Sequence, residues 1–116
     1  MLRLLLAVGL MASASPVWAD FDRITDASQF RDIVSGKSLT RPLIRLQVSP
    51  GGEITGTGAT RPVSGSWKWQ NGYFCRDLAW GKKQLGYNCQ EVRVNGRKIR
   101  FTSDKGAGDF ADFTIR

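Results

Sequence analysis

The amino-acid sequence predicts a mainly β domain, in which a short N-terminal helix precedes an antiparallel meander of about seven strands, forming a small barrel or a strongly curved sheet. Apolar and polar residues alternate from Leu43 onward, which is the period of half-buried strands. Short turns join these segments, and two of the turns contain the Asn-Gly pair that favours tight hairpins. Closing such a meander on itself protects its edge strands, so a barrel is expected.

Residues 1–19 have the pattern of a secretory signal peptide. Arg3 precedes an apolar run over residues 4–12, and Val17-Trp18-Ala19 suits cleavage before Asp20. The run is shorter than the ~20 residues of a membrane-spanning helix, so no transmembrane segment is predicted. We therefore expect a periplasmic or secreted protein, with residues 20–116 forming a single β domain of 97 residues. Loss of Arg3 lowers the net charge from +7 to +6.

The helix is predicted to begin after Asp26. Asp26-Ala27-Ser28-Gln29 has the form of a capping box, in which Gln29 reaches back to the N-cap. Gly36 stands where a helix commonly ends in a left-handed conformation. An apolar stripe at helical spacing lies between them: Phe30, Ile33 and Val34.

The strands follow in order, and each is bounded by turn residues. Asn71-Gly72 and Asn95-Gly96 predict two hairpins, residues 81–86 and 103–108 predict loops, and Gly56 and Gly58 mark a weak strand or a close backbone approach. The predicted strands cover residues 43–48, 53–57, 63–69, 73–80, 87–94, 98–102 and 110–115.

The two cysteines are predicted to form a disulfide. If residues 73–80 and 87–94 pair as a hairpin, Cys75 lies opposite Cys89, and Asp77 lies opposite Tyr87. An exported chain meets an oxidising compartment, and the spacing is not that of a redox-active Cys-x-x-Cys pair. A bond between these strands would support the small core of a 97-residue domain.

Two residue sets are candidates for binding. Trp67, Trp69 and Phe74 share a face across the first hairpin, where they either fill the core or line a ligand cavity. Arg93, Lys98 and Arg100 are predicted to point to one side of the last hairpin, with Arg97 opposite. They either keep the protein soluble or bind an anionic envelope component or an acidic protein; nucleic acid is not an expected partner of an exported protein.

Catalytic and cofactor motifs are absent from the sequence. The chain contains no histidine, which excludes Ser-His-Asp and Cys-His catalysis and histidine-bound zinc. The glycines near residues 51–58 do not form a dinucleotide or phosphate-loop motif, and Asp104 and Asp109 lack the spacing of a calcium loop. Asp77 and Glu91 are interpreted as surface carboxylates. We therefore predict no catalytic residue, no metal and no cofactor.

Four stretches carry a resemblance to a known group: residues 35–39, 65–76, 86–92 and 101–106. They resemble small exported proteins of alphaproteobacteria, many of which are labelled dihydrodipicolinate reductase. The resemblance covers nearly the whole predicted mature chain and implies export and a compact, disulfide-bonded β domain. The label implies an NAD(P)H-dependent oxidoreductase of lysine biosynthesis, an enzyme that needs a Rossmann domain.

The sequence thus predicts an exported, barrel-like binding or interaction module that is not an enzyme. Two alternatives belong to other classes. The first is the reductase that the group's label implies, against which the short chain, the missing fingerprint and the missing histidine argue. The second is a small structural protein of the cell envelope that holds no small ligand.

Overall fold

The computed structural model describes residues 20–116, and the predicted signal peptide lies outside these described residues. The helix is α1 (Ala27–Val34), and a 3-10 turn spans Asp104–Gly106. The strands are β1 (Asp22–Ile24), β2 (Leu39–Arg41), β3 (Ile44–Val48), β4 (Glu53–Gly58), β5 (Arg61–Gln70), β6 (Tyr73–Trp80), β7 (Lys83–Asn95), β8 (Lys98–Thr102) and β9 (Phe110–Ile115).

Strands β2 to β9 form a closed, antiparallel, eight-stranded barrel. Each pairs with the next in sequence from β2 to β9, and β2 also pairs with β9, with Leu39 opposite Ile115. Strand β1 adds a ninth strand alongside the C-terminal part of β7, with Ile24 opposite Val92. The predicted mainly β fold, a small barrel with one short helix, is confirmed.

Helix α1 forms where its cap and its apolar stripe predict. The Asp26 carboxylate accepts hydrogen bonds from the Ser28 N–H (3.4 Å) and the Ser28 hydroxyl (2.8 Å). Gly36 follows the helix at φ 70°, a left-handed conformation that glycine adopts without a steric penalty. Phe30 and Val34 are completely buried, so two helical turns are stabilised by docking on the barrel.

The strand boundaries differ from the prediction in two regions. The short strands β1 and β2 were not predicted, which raises the number of strands from seven to nine. The predicted loop over residues 81–86 is wrong, because β7 begins at Lys83. The pairing shifts where Leu78 opposes Gly86 and Ala79 opposes Gln84, so Leu85 is the extra residue of a β-bulge.

The two predicted Asn-Gly hairpins also differ from each other. Asn71 and Gly72 have φ values of 53° and 85°, as a type I′ turn requires. In the second hairpin Asn95 pairs with Lys98, so the turn consists of Gly96 and Arg97 and lies one residue later than predicted.

The predicted disulfide is present. Cys75 and Cys89 are directly opposed on β6 and β7 and are bonded, with an S–S distance of 2.08 Å. Asp77 lies opposite Tyr87, as the same register predicts. The bond lies on the outer face, because the neighbouring Phe74 alternates to the inner face and belongs to the core.

Two interior glycines allow the strands to approach each other closely. A methyl group added at Gly65 would overlap the Asp77 carbonyl oxygen and the side chain of Leu78. One added at Gly56 would overlap the carbonyl oxygen of Arg45, as the predicted close backbone approach implies.

Candidate functional site

The interior of the barrel contains a cavity of about 300 Å³. Its volume is at the lower end of the range found for small-molecule sites. Most of the wall is apolar, and strands from both sides of the barrel contribute to it. The apolar wall includes Leu39, Leu46, Ile54, Phe74, Phe101 and Phe113.

One end of the barrel is filled and covered. Phe30 of α1 packs with ring centroids 5.1 Å from each of Trp67, Trp69 and Phe74. The Trp67 indole N–H donates to the Ser49 carbonyl oxygen at 2.8 Å, which satisfies the polar atom of a buried ring. This end is therefore a packed aromatic core.

The cavity reaches the surface at the other end. Asp109 and Phe110, at the start of β9, line the cavity and are also exposed. The loop before them is held to β7 by Asn88, whose amide donates to the Asp104 carboxylate at 2.8 Å and accepts from the Asp104 N–H at 3.0 Å. The opening therefore lies beside an anchored loop.

The wall also contains Arg76, a residue that was not among the predicted site residues. Alternation on β6 places it inward, between Phe74 and Leu78 on the same face. Its Nη1 donates to the Gly86 carbonyl oxygen at 2.7 Å. Burial lowers the pKa of Arg76, and the charge of neighbouring Asp77 raises it in part.

The other polar groups of the wall are Gln90, Ser103 and Asp109. The Gln90 amide is buried and donates to the Ser103 hydroxyl at 3.3 Å. No carboxylate among residues 20–116 lies within 4.0 Å of the Arg76 guanidinium, and no described acceptor other than Gly86 bonds to it. The cavity therefore combines an apolar wall with one guanidinium that has no carboxylate within ion-pair distance among the described residues.

The three predicted ligand-facing aromatics have different positions. Phe74 lines the cavity, whereas Trp67 and Trp69 pack under α1 at the filled end. All three rings lie on one face of the sheet, as the alternation predicts, because Trp69 lies directly opposite Phe74 and Trp67 is two residues from Trp69 on β5. The structure thus places the two tryptophans in the core, which was the other alternative for these residues.

The predicted anion-binding residues lie on the outer surface, and each has a partner. Arg93 donates to Glu91 at 2.6 Å, and Arg100 donates to both oxygens of Asp112 at 2.7 and 3.0 Å. These hydrogen bonds raise the pKa of both arginines. Lys98 donates to the Thr114 hydroxyl at 3.1 Å. The net positive charge of this surface is therefore smaller than the sequence indicates.

Comparison with known proteins identifies no matching family model, no matching curated sequence and no matching solved structure. Among residues 20–116, no three Cys, Asp or Glu side chains are grouped so that they could hold a metal ion. The described helices lack the length and apolar composition needed to cross a membrane.

Proposed function

We propose that the protein is an exported binding module that holds a small, largely apolar molecule inside its barrel. The cavity carries this proposal: an opening at one end leads into a space of about 300 Å³ whose wall is mostly hydrophobic. A space of this kind in a well-packed domain is the usual location of a small-molecule site.

Export to an oxidising compartment is part of the proposal. The support is the signal-peptide pattern of residues 1–19 together with the bonded Cys75–Cys89 pair. N-terminal sequencing of the protein from its own host tests this part. We expect mature protein to begin at Asp20 in the periplasmic or secreted fraction, and a retained Met1 in cytoplasmic protein would contradict it.

Titration calorimetry with two probes of the same chain length, octanol and octanoate, tests the binding function. We expect at least one of them to bind. Replacing Ala111 with Phe places a ring in the cavity that Ala111 lines, and should abolish that binding.

Ala79→Phe is the matched control, because Ala79 lies on β6 at an outward position. This variant should bind as the wild type does. Circular dichroism verifies that both variants are folded. If neither probe binds to the wild-type protein, the binding function is wrong.

The alternative function is that of a dihydrodipicolinate reductase, the label carried by many of the exported proteins that this sequence resembles. Such an enzyme would bind a different ligand. A nicotinamide cofactor binds a Rossmann domain through a glycine-rich turn between a strand and a helix. In the described chain β2 to β9 follow one another as antiparallel strands. A fluorescence titration with NADPH distinguishes the two functions, and saturable binding would favour the oxidoreductase.

A further inference from the structure

The cavity presents a positive charge to its occupant. Arg76 lies on the inner face of β6, two residues from Phe74 on one side and two from Leu78 on the other. A guanidinium has five N–H donors, and within residues 20–116 a single bond, to Gly86, is formed. The remaining donors are available to a molecule inside the barrel.

A half-buried cation without an ion-pair partner is costly in an apolar wall, and a counter-charge lowers this cost. Removing a charge from water is costly, and pairing or hydrogen bonding offsets this cost in whole or in part. Burial is also the main cause of the lowered pKa of Arg76, although an arginine remains protonated at physiological pH. The site therefore favours an anion that brings its own acceptors.

The other polar groups of the wall limit what this anion can be. Gln90 and Ser103 are hydrogen-bonded to each other, and Asp109 places a negative charge at the opening. A cavity with one guanidinium in its wall and one carboxylate at its opening suits a head group with a single negative charge. A carboxylate fits the fork of the guanidinium through two parallel hydrogen bonds.

We propose that the barrel binds an amphiphilic monoanion, an apolar chain or ring that carries one carboxylate, with this carboxylate on Arg76 and the apolar part along the inner wall. The proposal rests on the binding function proposed above and adds the class of ligand and the residue that selects it. Arg76 is then the specificity-determining residue of the cavity.

The experiment compares octanoate with octanol, which have the same chain and differ in the charge of the head group. Titration calorimetry is carried out on the wild-type protein, Arg76→Met, Arg76→Lys and Arg45→Met. Arg45→Met is the control, because Arg45 is exposed and lies on β3 between Ile44 and the cavity-lining Leu46, so that alternation places it on the outer face. Circular dichroism and thiol titration verify that each variant is folded and disulfide-bonded.

We expect the wild-type protein and Arg45→Met to bind octanoate at least about tenfold more tightly than octanol, the effect of one charge-assisted hydrogen bond or more. Arg76→Met should lose this preference and still bind octanol. Arg76→Lys should keep part of it, since lysine retains the charge but not the fork. The preference should also decrease at pH values below roughly 4–5, where a carboxyl group becomes protonated.

Two results would overturn the proposal, and they differ from each other. Equal affinities of the wild-type protein for octanoate and octanol, with no effect of Arg76→Met, would refute the monoanion and leave the apolar binding function intact. Failure of both probes to bind would refute the binding function itself, and the monoanion with it.

Discussion

The two ends of the barrel interior are built from the same strands but are filled differently. At the end covered by α1, Phe30 contacts Trp67, Trp69 and Phe74, and the indole N–H groups of both tryptophans bond to backbone carbonyl oxygens. At the open end the wall contains Arg76, whose guanidinium faces a space of about 300 Å³. The change takes place within two residues of β6, from Phe74 to Arg76.

The difference separates packed core residues from residues that line the cavity along one strand. At the covered end every large ring is packed, so a substitution there leaves a void and lowers stability. At the open end the space already exists, and Arg76 in its wall is only half-buried. Substitutions at the covered end should therefore lower the free energy of unfolding, whereas replacing Arg76 at the open end should leave it unchanged or raise it slightly. The variants below run from the largest expected effect to the smallest.

Phe30→Ala should have the largest effect. Its ring is completely buried, and its loss removes contacts to Trp67, Trp69, Phe74 and Phe101. We expect the free energy of unfolding to decrease by about 3–5 kcal/mol, as for other buried aromatic residues replaced with alanine. Chemical denaturation monitored by tryptophan fluorescence measures this.

The control for Phe30→Ala is Leu43→Ala. Leu43 is 80% exposed, so its loss should change the free energy of unfolding by less than about 0.5 kcal/mol. Similar effects of the two substitutions would show that α1 does not stabilise the covered end.

Removal of the disulfide should have the next largest effect. Cys75 lies between Phe74 and Arg76 in sequence, and the bond joins β6 to β7 on the outer face. Replacing both cysteines with Ala removes a cross-link that closes a short loop, which should lower the free energy of unfolding by about 3 kcal/mol.

The bond itself is tested by thiol titration of the unfolded, non-reduced wild-type protein. No free thiols are expected. Two thiols per chain would contradict the bond, and an unchanged unfolding midpoint in the Ala variant would contradict its stabilising role.

Gly65→Ala tests the backbone contact beside the open end. The added methyl group would overlap the Asp77 carbonyl oxygen, so β5 and β6 must separate locally. We expect a loss of about 1–3 kcal/mol, as for other overpacked interior positions. The control is Gly51→Ala, since a methyl group at Gly51 would meet only Ser49 Oγ, at 3.8 Å. Equal unfolding midpoints for the two variants would contradict the close approach.

Arg76→Met should have the smallest effect on stability, with the opposite sign. It replaces a half-buried charge that has no ion-pair partner with a shorter apolar side chain, which we expect to be neutral or stabilising by about 1 kcal/mol. Thermal unfolding in the absence of ligand measures this. A loss as large as that of Phe30→Ala would show that Arg76 is a structural residue of the barrel.

Local patterns in the sequence predict most of this fold. The Asp26 cap, the type I′ turn at Asn71-Gly72 and the Cys75–Cys89 pair depend on residues that are close in sequence, and all three are present. Alternation is also a local signal, and it places Trp69 and Phe74 on one face, as observed.

Pairings between distant residues were not predictable in this way. Strand β2 has three residues, and of its two partners β9, which closes the barrel with Ile115 opposite Leu39, lies near the end of the described chain. The β-bulge at Leu85 arises because β7 stays paired with β6 on both sides of Leu85. In the sequence alone, Gly81 and Gly86 indicate a loop at this point. Short strands of this kind are stabilised by barrel closure and have no strong pattern of their own.

The candidate site was the least predictable part. The alternation of Phe74, Arg76 and Leu78 on β6 could have shown that Arg76 faces inward, but a charged residue in a strand is ordinarily assigned to the solvent side. Conversely, Arg93 and Arg100 are conspicuous in the sequence, and their partners Glu91 and Asp112 became visible once the register was known. Charge alone therefore did not distinguish these two paired arginines from Arg76, which forms no ion pair among the described residues.

The aromatic contacts of Arg100 connect the beginning of the described chain to the mouth of the cavity. Its guanidinium lies 4.1 Å from the ring centroid of Phe21 and 4.0 Å from that of Phe110, which lines the opening. A chemical group attached at residue 20 is therefore carried to the entrance of the barrel without any change in its interior. This makes residue 20 a suitable position for an environment-sensitive dye that reports optically on changes at the opening.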